Sequence, residues 1–174
     1  MRTQHRTGAA LGALFIALAG FAAPFPLSGT SGSLAPEAIE AALEEARQND
    51  VDVSLQNAIL YKGLMLFQDE EYAEAIPFLE EALRMDPALT AGLEALGWAY
   101  IRTERPERGY ALWEYFATLM PDHWMPYNLL AQAAVMKQDW NQADAMFRKA
   151  LEIKPDLYDQ RYWFGQNLLR LGKI

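Results

Sequence analysis

Apolar residues recur along most of this chain three or four positions apart, with charged residues between them, which is the spacing of a helix face. The stretch EYAEAIPFLEEALRMDP, Glu71 to Pro87, sets the pattern. Tyr72, Ala75, Leu79 and Ala82 share one face, and a proline closes the helix. The shape returns as RPERGYALWEYFATLMP, Arg105 to Pro121, and as DWNQADAMFRKALEIKP, Asp139 to Pro155. The closing prolines Pro87, Pro121 and Pro155 stand 34 residues apart. A second helical pattern precedes each of these stretches. The first carries Ile59, Gly63 and Leu66, and the second Leu93, Leu96, Gly97 and Tyr100. The third carries Tyr127, Leu130, Ala131 and Ala134. The chain therefore predicts three helix–turn–helix units, over about 56–89, 90–123 and 124–157. A leading helix is expected over Pro36 to Asn49, with Ile39, Ala42, Leu43 and Ala46 on one face. A terminal helix is expected over Tyr158 to Leu171, with Phe164, Gly165 and Leu168 inward.

Side-chain size follows the same period. Gly63, Gly97, Ala131 and Gly165 are small where the helices of a pair are expected to cross, and Ala75, Gly109 and Ala143 are small on the facing helix. Leu79, Trp113 and Phe147 are large and are expected to fill the gap between one unit and the next. No single pair can bury its apolar face alone, so the units must stack, and stability becomes a nearest-neighbour sum.

A period of 34 with these slots resembles the tetratricopeptide repeat. The resemblance covers about Gln56 to Gly172, roughly two thirds of the chain. It implies an all-α fold, a right-handed α-solenoid of antiparallel helix pairs, with three repeats plus a leading and a terminal helix. Four residues depart from the family pattern. Lys62 stands where the family prefers leucine, and Phe116 where it prefers alanine, so the middle repeat's second helix is expected to shift outward. Pro77 lies inside a second helix and should bend it or displace its start. Arg161 replaces an apolar residue in the terminal helix.

The resemblance also implies that the first helices line a concave wall. That places Leu60, Tyr61, Leu64 and Phe67 on the wall from the first repeat, and Trp98, Ile101 and Arg102 from the second. Met125, Leu129, Gln132 and Met136 follow from the third, and Tyr162 and Trp163 from the terminal helix. Some family members clamp an acidic chaperone tail with Lys, Asn and Arg in this groove. Here the matching places hold Leu60, Leu64, Ala95, Met125 and Leu129, which would leave a carboxylate without donors. A wall of this kind suits an apolar extended segment or an amphipathic helix of another protein, with the aromatic residues as anchors. The alternatives are a wall covered by the leading helix, or apolar residues that are simply core.

Composition narrows the remaining possibilities. The chain has 174 residues, 52% of them apolar, no cysteine and a formal net charge of −8. Without cysteine there is no disulfide framework, thiolate metal site or cysteine nucleophile. An acidic chain lacks the clustered Lys and Arg that nucleic acid requires. His123 sits in a turn and reads as a turn residue. Asp69, Glu70, Glu71 and Glu74 crowd a helix start, where negative charge complements the dipole, and they lack the alternating ligands of a calcium loop. Glu44, Glu45, Glu80 and Glu81 read as solvated faces. No phosphate loop, nucleophile elbow or triad is present. The expectation is a protein that is not an enzyme and carries no cofactor or metal.

The first residues, MRTQHRTGAALGALFIALAGFAAPFPLSGTSGS, add a location. Arg2 and Arg6 precede a charge-free run from Gly8 to Ala23, and small residues follow at the spacing of a cleavage site. Residues 1–23 read as a signal peptide cut near Ala22 or Ala23. The alternative is a retained anchor over Gly8 to Leu27, which just reaches the length of a span. Residues 24–35 read as a Pro-, Gly- and Ser-rich linker, and 36–174 as the repeat domain. The repeats would then face a periplasm-like compartment. The expected role is a scaffold of the bacterial cell envelope that takes part in assembling an envelope complex. The alternatives are a chaperone for a secreted or membrane substrate, or the N-terminal repeat region of a longer protein. The apolar terminal helix also offers a route to self-association.

Overall fold

The computed structural model describes residues 34–49 and 54–172. The leader lies outside these residues, as does most of the linker. Among the described residues there are eight helices and no strand. They are α1 (Pro36–Gln48), α2 (Leu55–Gln68), α3 (Tyr72–Met85), α4 (Thr90–Arg102), α5 (Pro106–Leu119), α6 (Trp124–Met136), α7 (Trp140–Ile153) and α8 (Tyr158–Arg170). Consecutive helices pack as antiparallel pairs, and the pairs stack into the expected right-handed α-solenoid. The second helices begin at Tyr72, Pro106 and Trp140, and α4, α6 and α8 at Thr90, Trp124 and Tyr158, so the 34-residue period holds in the backbone.

Each turn within a pair closes the same way. The N–H of Arg105 donates to the Tyr100 carbonyl at 2.8 Å, and that of Glu104 to Ile101 at 3.3 Å. These two bonds define a left-handed cap. Glu70, Glu104 and Gln138 take it up with φ of 64°, 61° and 60°, and Gly172 ends α8 with φ of 66°. Three of the four are not glycine, and a Cβ in this conformation costs roughly 1–2 kcal/mol. Glu104→Gly should therefore raise stability by about 0.5–1 kcal/mol, the gain reduced by the greater freedom of glycine in the unfolded chain. Urea denaturation of the single variant checks this.

The packing corrects several expectations. Leu79 and Trp113 do more than fill the gap to the next repeat, whose residues share their core. They lie over the small residue of their own pair. A Cβ added to Gly63 would stand 2.9 Å from Leu79 Cδ2, and one added to Gly97 would stand 2.8 Å from Trp113 Cζ2 and closer still to its Nε1 and Cε2. Phe147 does reach forward, with its ring 6.4 Å from that of Phe164 on α8. α5 is not displaced at its crossing with α4, because a Cβ at Gly109 would lie 2.5 Å from the Gly97 carbonyl oxygen. Phe116 is fully buried. α3 starts in register despite Pro77, and the residue whose carbonyl loses its partner, Ala73, is exposed to water. Lys62 pairs with Glu45 at 2.7 Å and ties α2 to α1, which explains a lysine in a leucine slot.

Glu80 and Glu81 are buried, not solvated. Arg84 pairs with Glu81. The Tyr100 hydroxyl donates to Glu80 Oε1 inside the core, and Arg105 and Arg108 lie 5.9 and 5.7 Å from the Tyr100 ring. Burial, reinforced by the Glu80 carboxylate, pushes the Tyr100 phenol well above its ordinary range. An unfolded tyrosine ionises near pH 10 while the folded one keeps its proton. This contribution is thus complete below about pH 10 and is lost as pH rises beyond it, at roughly 1.4 kcal/mol per unit for one proton. Tyr100→Phe should flatten the alkaline fall in stability, as read from denaturation between pH 9 and about pH 11.

Two cores meet on α6. Leu129 and Ala133 belong to the main cluster with Leu79, Leu96, Trp113 and Phe116. Ala131 and Ala134 belong to a second cluster with Ala143 and Phe147. A third, with Ile39, Ile59 and Ala82, seats α1.

Candidate interaction surface

The helices α2, α4, α6 and α8 carry the residues expected on the concave wall, and their exposure changes along the stack. On α2, Leu60, Tyr61, Leu64 and Phe67 are half-buried. On α4, Trp98 and Ile101 are half-buried and Arg102 is exposed. Trp98 meets Trp113 edge to face with ring centres 5.0 Å apart. Phe67 does the same with Tyr72 at 5.3 Å, and the Arg102 guanidinium lies 5.6 Å from that Tyr72 ring. Leu60, Leu64, Phe67, Trp98, Ile101 and Met125 all pack against the main core. The repeat's own packing thus explains much of the apolar character there. Leu129 is only 1% exposed and belongs to the core, so it offers no surface. Gln132 is half-buried.

The C-terminal end of the wall differs. Met136 is 52% exposed, Tyr162 62% and Trp163 56%. The Tyr162 and Trp163 rings meet edge to face at 5.6 Å. They line a depression of about 250 Å³ with Val135, Trp140, Gln166, Asn167 and Arg170. Arg170 covers the Trp140 ring at 4.8 Å. Asn167 is buried, and its Nδ2 donates to the Trp140 carbonyl at 3.0 Å. That carbonyl demands a donor, which fixes the amide orientation. Asn167 Oδ1 then has no hydrogen-bond partner among the described residues.

Electrostatics on the wall are sparse. Glu94 on α4 is half-buried, and burial raises its carboxyl above the usual range. His123 caps α6, its Nδ1 accepting from the Met125 N–H at 3.3 Å, and its ring stacks between Phe116 and Trp124. Among the described residues no three His, Cys, Asp or Glu side chains converge on a place for a metal ion. No described helix is long and apolar enough to cross a membrane.

Sequence reasoning placed Tyr162, Trp163, Met136 and Arg170 on this surface but missed Trp140 and Asn167. Trp140 read only as a second-helix packing residue. Asn167 carries no sequence signal, because its burial depends on a carbonyl 27 residues away.

Comparison with known proteins agrees with the fold. The model of the tetratricopeptide repeat matches residues 59–89 and 126–157. No curated protein sequence matches. The first TPR of Spaghetti (RPAP3), bound to the HSP90 peptide SRMEEVD, superposes with a TM-score of 0.60 at 18% identity, over 67% of this chain and 93% of that one. The MamA protein gives 0.57 at 20% identity, over 67% and 64%. The CopN–Scc3 complex gives 0.57 at 14% identity, over 91% and 96%. At these identities the likeness concerns the fold alone. The family model and the solved folds together support tetratricopeptide repeats in this chain, with the pair α4–α5 continuing their register between the two matched stretches.

Proposed function

We propose that this chain is a non-enzymatic scaffold that docks an apolar segment or amphipathic helix of another protein at the C-terminal end of its concave wall. One observation carries the reading. Met136, Tyr162 and Trp163 stay exposed there, while Leu60, Phe67 and Trp98 further along the wall lean into the core. Exposed aromatic residues around a depression are the usual anchors of an interface. The repeat fold favours this class, since its established use is to present one surface of stacked helices to a partner. The leader pattern adds that the work is done in a bacterial cell envelope, where the partner would be another envelope protein and the task the assembly of a complex.

The test is a crosslinking pull-down from native envelopes with the parent and a Trp163→Ala/Met136→Ser double variant. Loss of an anchor should weaken the partner's binding by about 2 kcal/mol or more, close to 30-fold. Equal recovery by both forms would remove this surface from the mechanism. Trp98 is a poor probe, because its ring also supports Trp113. Location is read separately. The first thirty or so residues fused to a reporter should export it, and a reporter retained in the cytoplasm would overturn the envelope assignment.

A further inference from the structure

The middle of the inner wall holds one charge that nothing in the fold answers. Glu94 is the only acidic residue on α2, α4 and α6. It stands where α2 has Leu60, which packs against the main core, so an apolar side chain fits the place. Half-buried there, its carboxylate makes no ion pair or hydrogen bond among the described residues. Burial alone lifts its carboxyl above the usual range. The cations of the wall helices are engaged elsewhere. Lys62 pairs with Glu45, and Arg102 and Arg170 lie over the Tyr72 and Trp140 rings. Arg161 also has its partner. The same place on α6 is Asn128, only 6% exposed. Its side chain takes part in no hydrogen bond among the described residues, yet its amide is not sealed from water. A half-buried carboxylate and a nearly buried amide both cost stability unless something pairs with them.

Charge and hydrogen-bonding pattern together select the occupant. Glu94, Asn128 and Tyr162 stand 34 residues apart, so they form a row across α4, α6 and α8 that ends at the exposed aromatic pair. A primary amide both donates and accepts, which matches the peptide group of an extended chain and not one already bonded within a helix. A half-buried carboxylate selects a cation. Trp98, one turn beyond Glu94 and half-buried, offers apolar surface to the stem of a long basic side chain. We propose that the wall takes an extended segment of a partner protein with a Lys or Arg at Glu94, a backbone amide at Asn128 and an apolar residue at Tyr162 and Trp163. This rests on the inner-wall reading above. It adds the basic residue that decides which apolar segment is accepted.

The test is selection from a random peptide library displayed on phage and panned on the full chain. Peptides held by the parent should be enriched in Lys or Arg beside a large apolar residue. With Glu94→Gln the basic preference should vanish while the apolar one persists. Glu114→Gln removes the same charge from an exposed place on α5 and should leave both, which separates the site from a general attraction of basic peptides to an acidic protein. The best peptide, synthesised and labelled, is then titrated by fluorescence anisotropy. Its affinity should fall about tenfold or more with Glu94→Gln or with alanine in place of its basic residue. The two changes together should cost little more than either alone. Glu94→Leu, which copies the first repeat, should lose the basic preference and raise the thermal midpoint. A parent that enriches no peptide or no basic residue, an unchanged preference in Glu94→Gln, or a lower midpoint in Glu94→Leu would each overturn the proposal. The Trp163→Ala/Met136→Ser variant keeps the two readings apart. If it loses the peptides and Glu94→Gln does not, the inner-wall reading stands without its basic residue.

Discussion

Phe116→Ala should destabilise the protein by about 3–5 kcal/mol, the range for emptying a phenylalanine site in a packed core. The family pattern argues the opposite, since alanine is the preferred residue at this place. The structure explains the conflict. In the first repeat the pair is Ala82–Leu83, and in the third it is Ala150–Leu151. In the second it is Phe116–Ala117, with the large and small residues exchanged. Phe116 is fully buried and stacks on His123 with ring centres 5.9 Å apart, while Ala117 leaves the neighbouring place small. Alanine at 116 alone would leave two adjacent small residues and a cavity. The double variant Phe116→Ala/Ala117→Leu restores the arrangement of the other repeats and should recover more than half of the loss. Chemical denaturation of the parent, both single variants and the double measures this coupling directly. A single Phe116→Ala variant as stable as the parent would mean that the core closes around the gap.

The second large effect is expected at Gly97. Gly97→Ala places a methyl group against the rigid indole of Trp113, which is fully buried. That ring is held in place by its Nε1–H, which donates to the Leu93 carbonyl at 3.2 Å. Overpacking costs about 1–3 kcal/mol, and displacing the indole forfeits a hydrogen bond worth about 1 kcal/mol more. A loss of roughly 2–4 kcal/mol follows. The third repeat supplies the remedy, because it carries Ala131 with Phe147 at the same two places. Trp113→Phe in the Gly97→Ala background should restore part of the stability, although the same change in the parent lowers it. Gly165→Ala is the contrasting control. It meets open space and should be neutral or slightly stabilising, since alanine is the better helix former. Equal losses at Gly97 and Gly165 would refute the account of the slot.

The repeat was legible because it is written twice, in the proline spacing and in the size of the slots. Periodicity tells which way a side chain points. It does not tell how far a neighbouring helix leans over it, and that is where the reading of the wall ran out. Leu60, Phe67 and Trp98 are half-buried and pack against the main core, where an open wall was expected. Leu129 is covered entirely. Glu80 read as solvated because its partner, Tyr100, lies 20 residues away on another helix. Lys62 read as a departure for the same reason, since Glu45 belongs to the leading helix. Met136, Tyr162 and Trp163 are each more than half exposed, with fewer of the described helices around them.

The sharing of α6 between two cores has a consequence for amide exchange. Its backbone is held on one side by the cluster around Trp113 and on the other by that around Phe147. The amides of α6 can trade hydrogen for deuterium only when both clusters open, so they should be among the slowest. Those of α8 depend on the second cluster alone and should exchange through a local opening of lower free energy. A ligand on α8 would close that opening in proportion to its saturation. Protection would then spread through α7 and α8 and stop at α6, leaving α2 and α3 at their original rates.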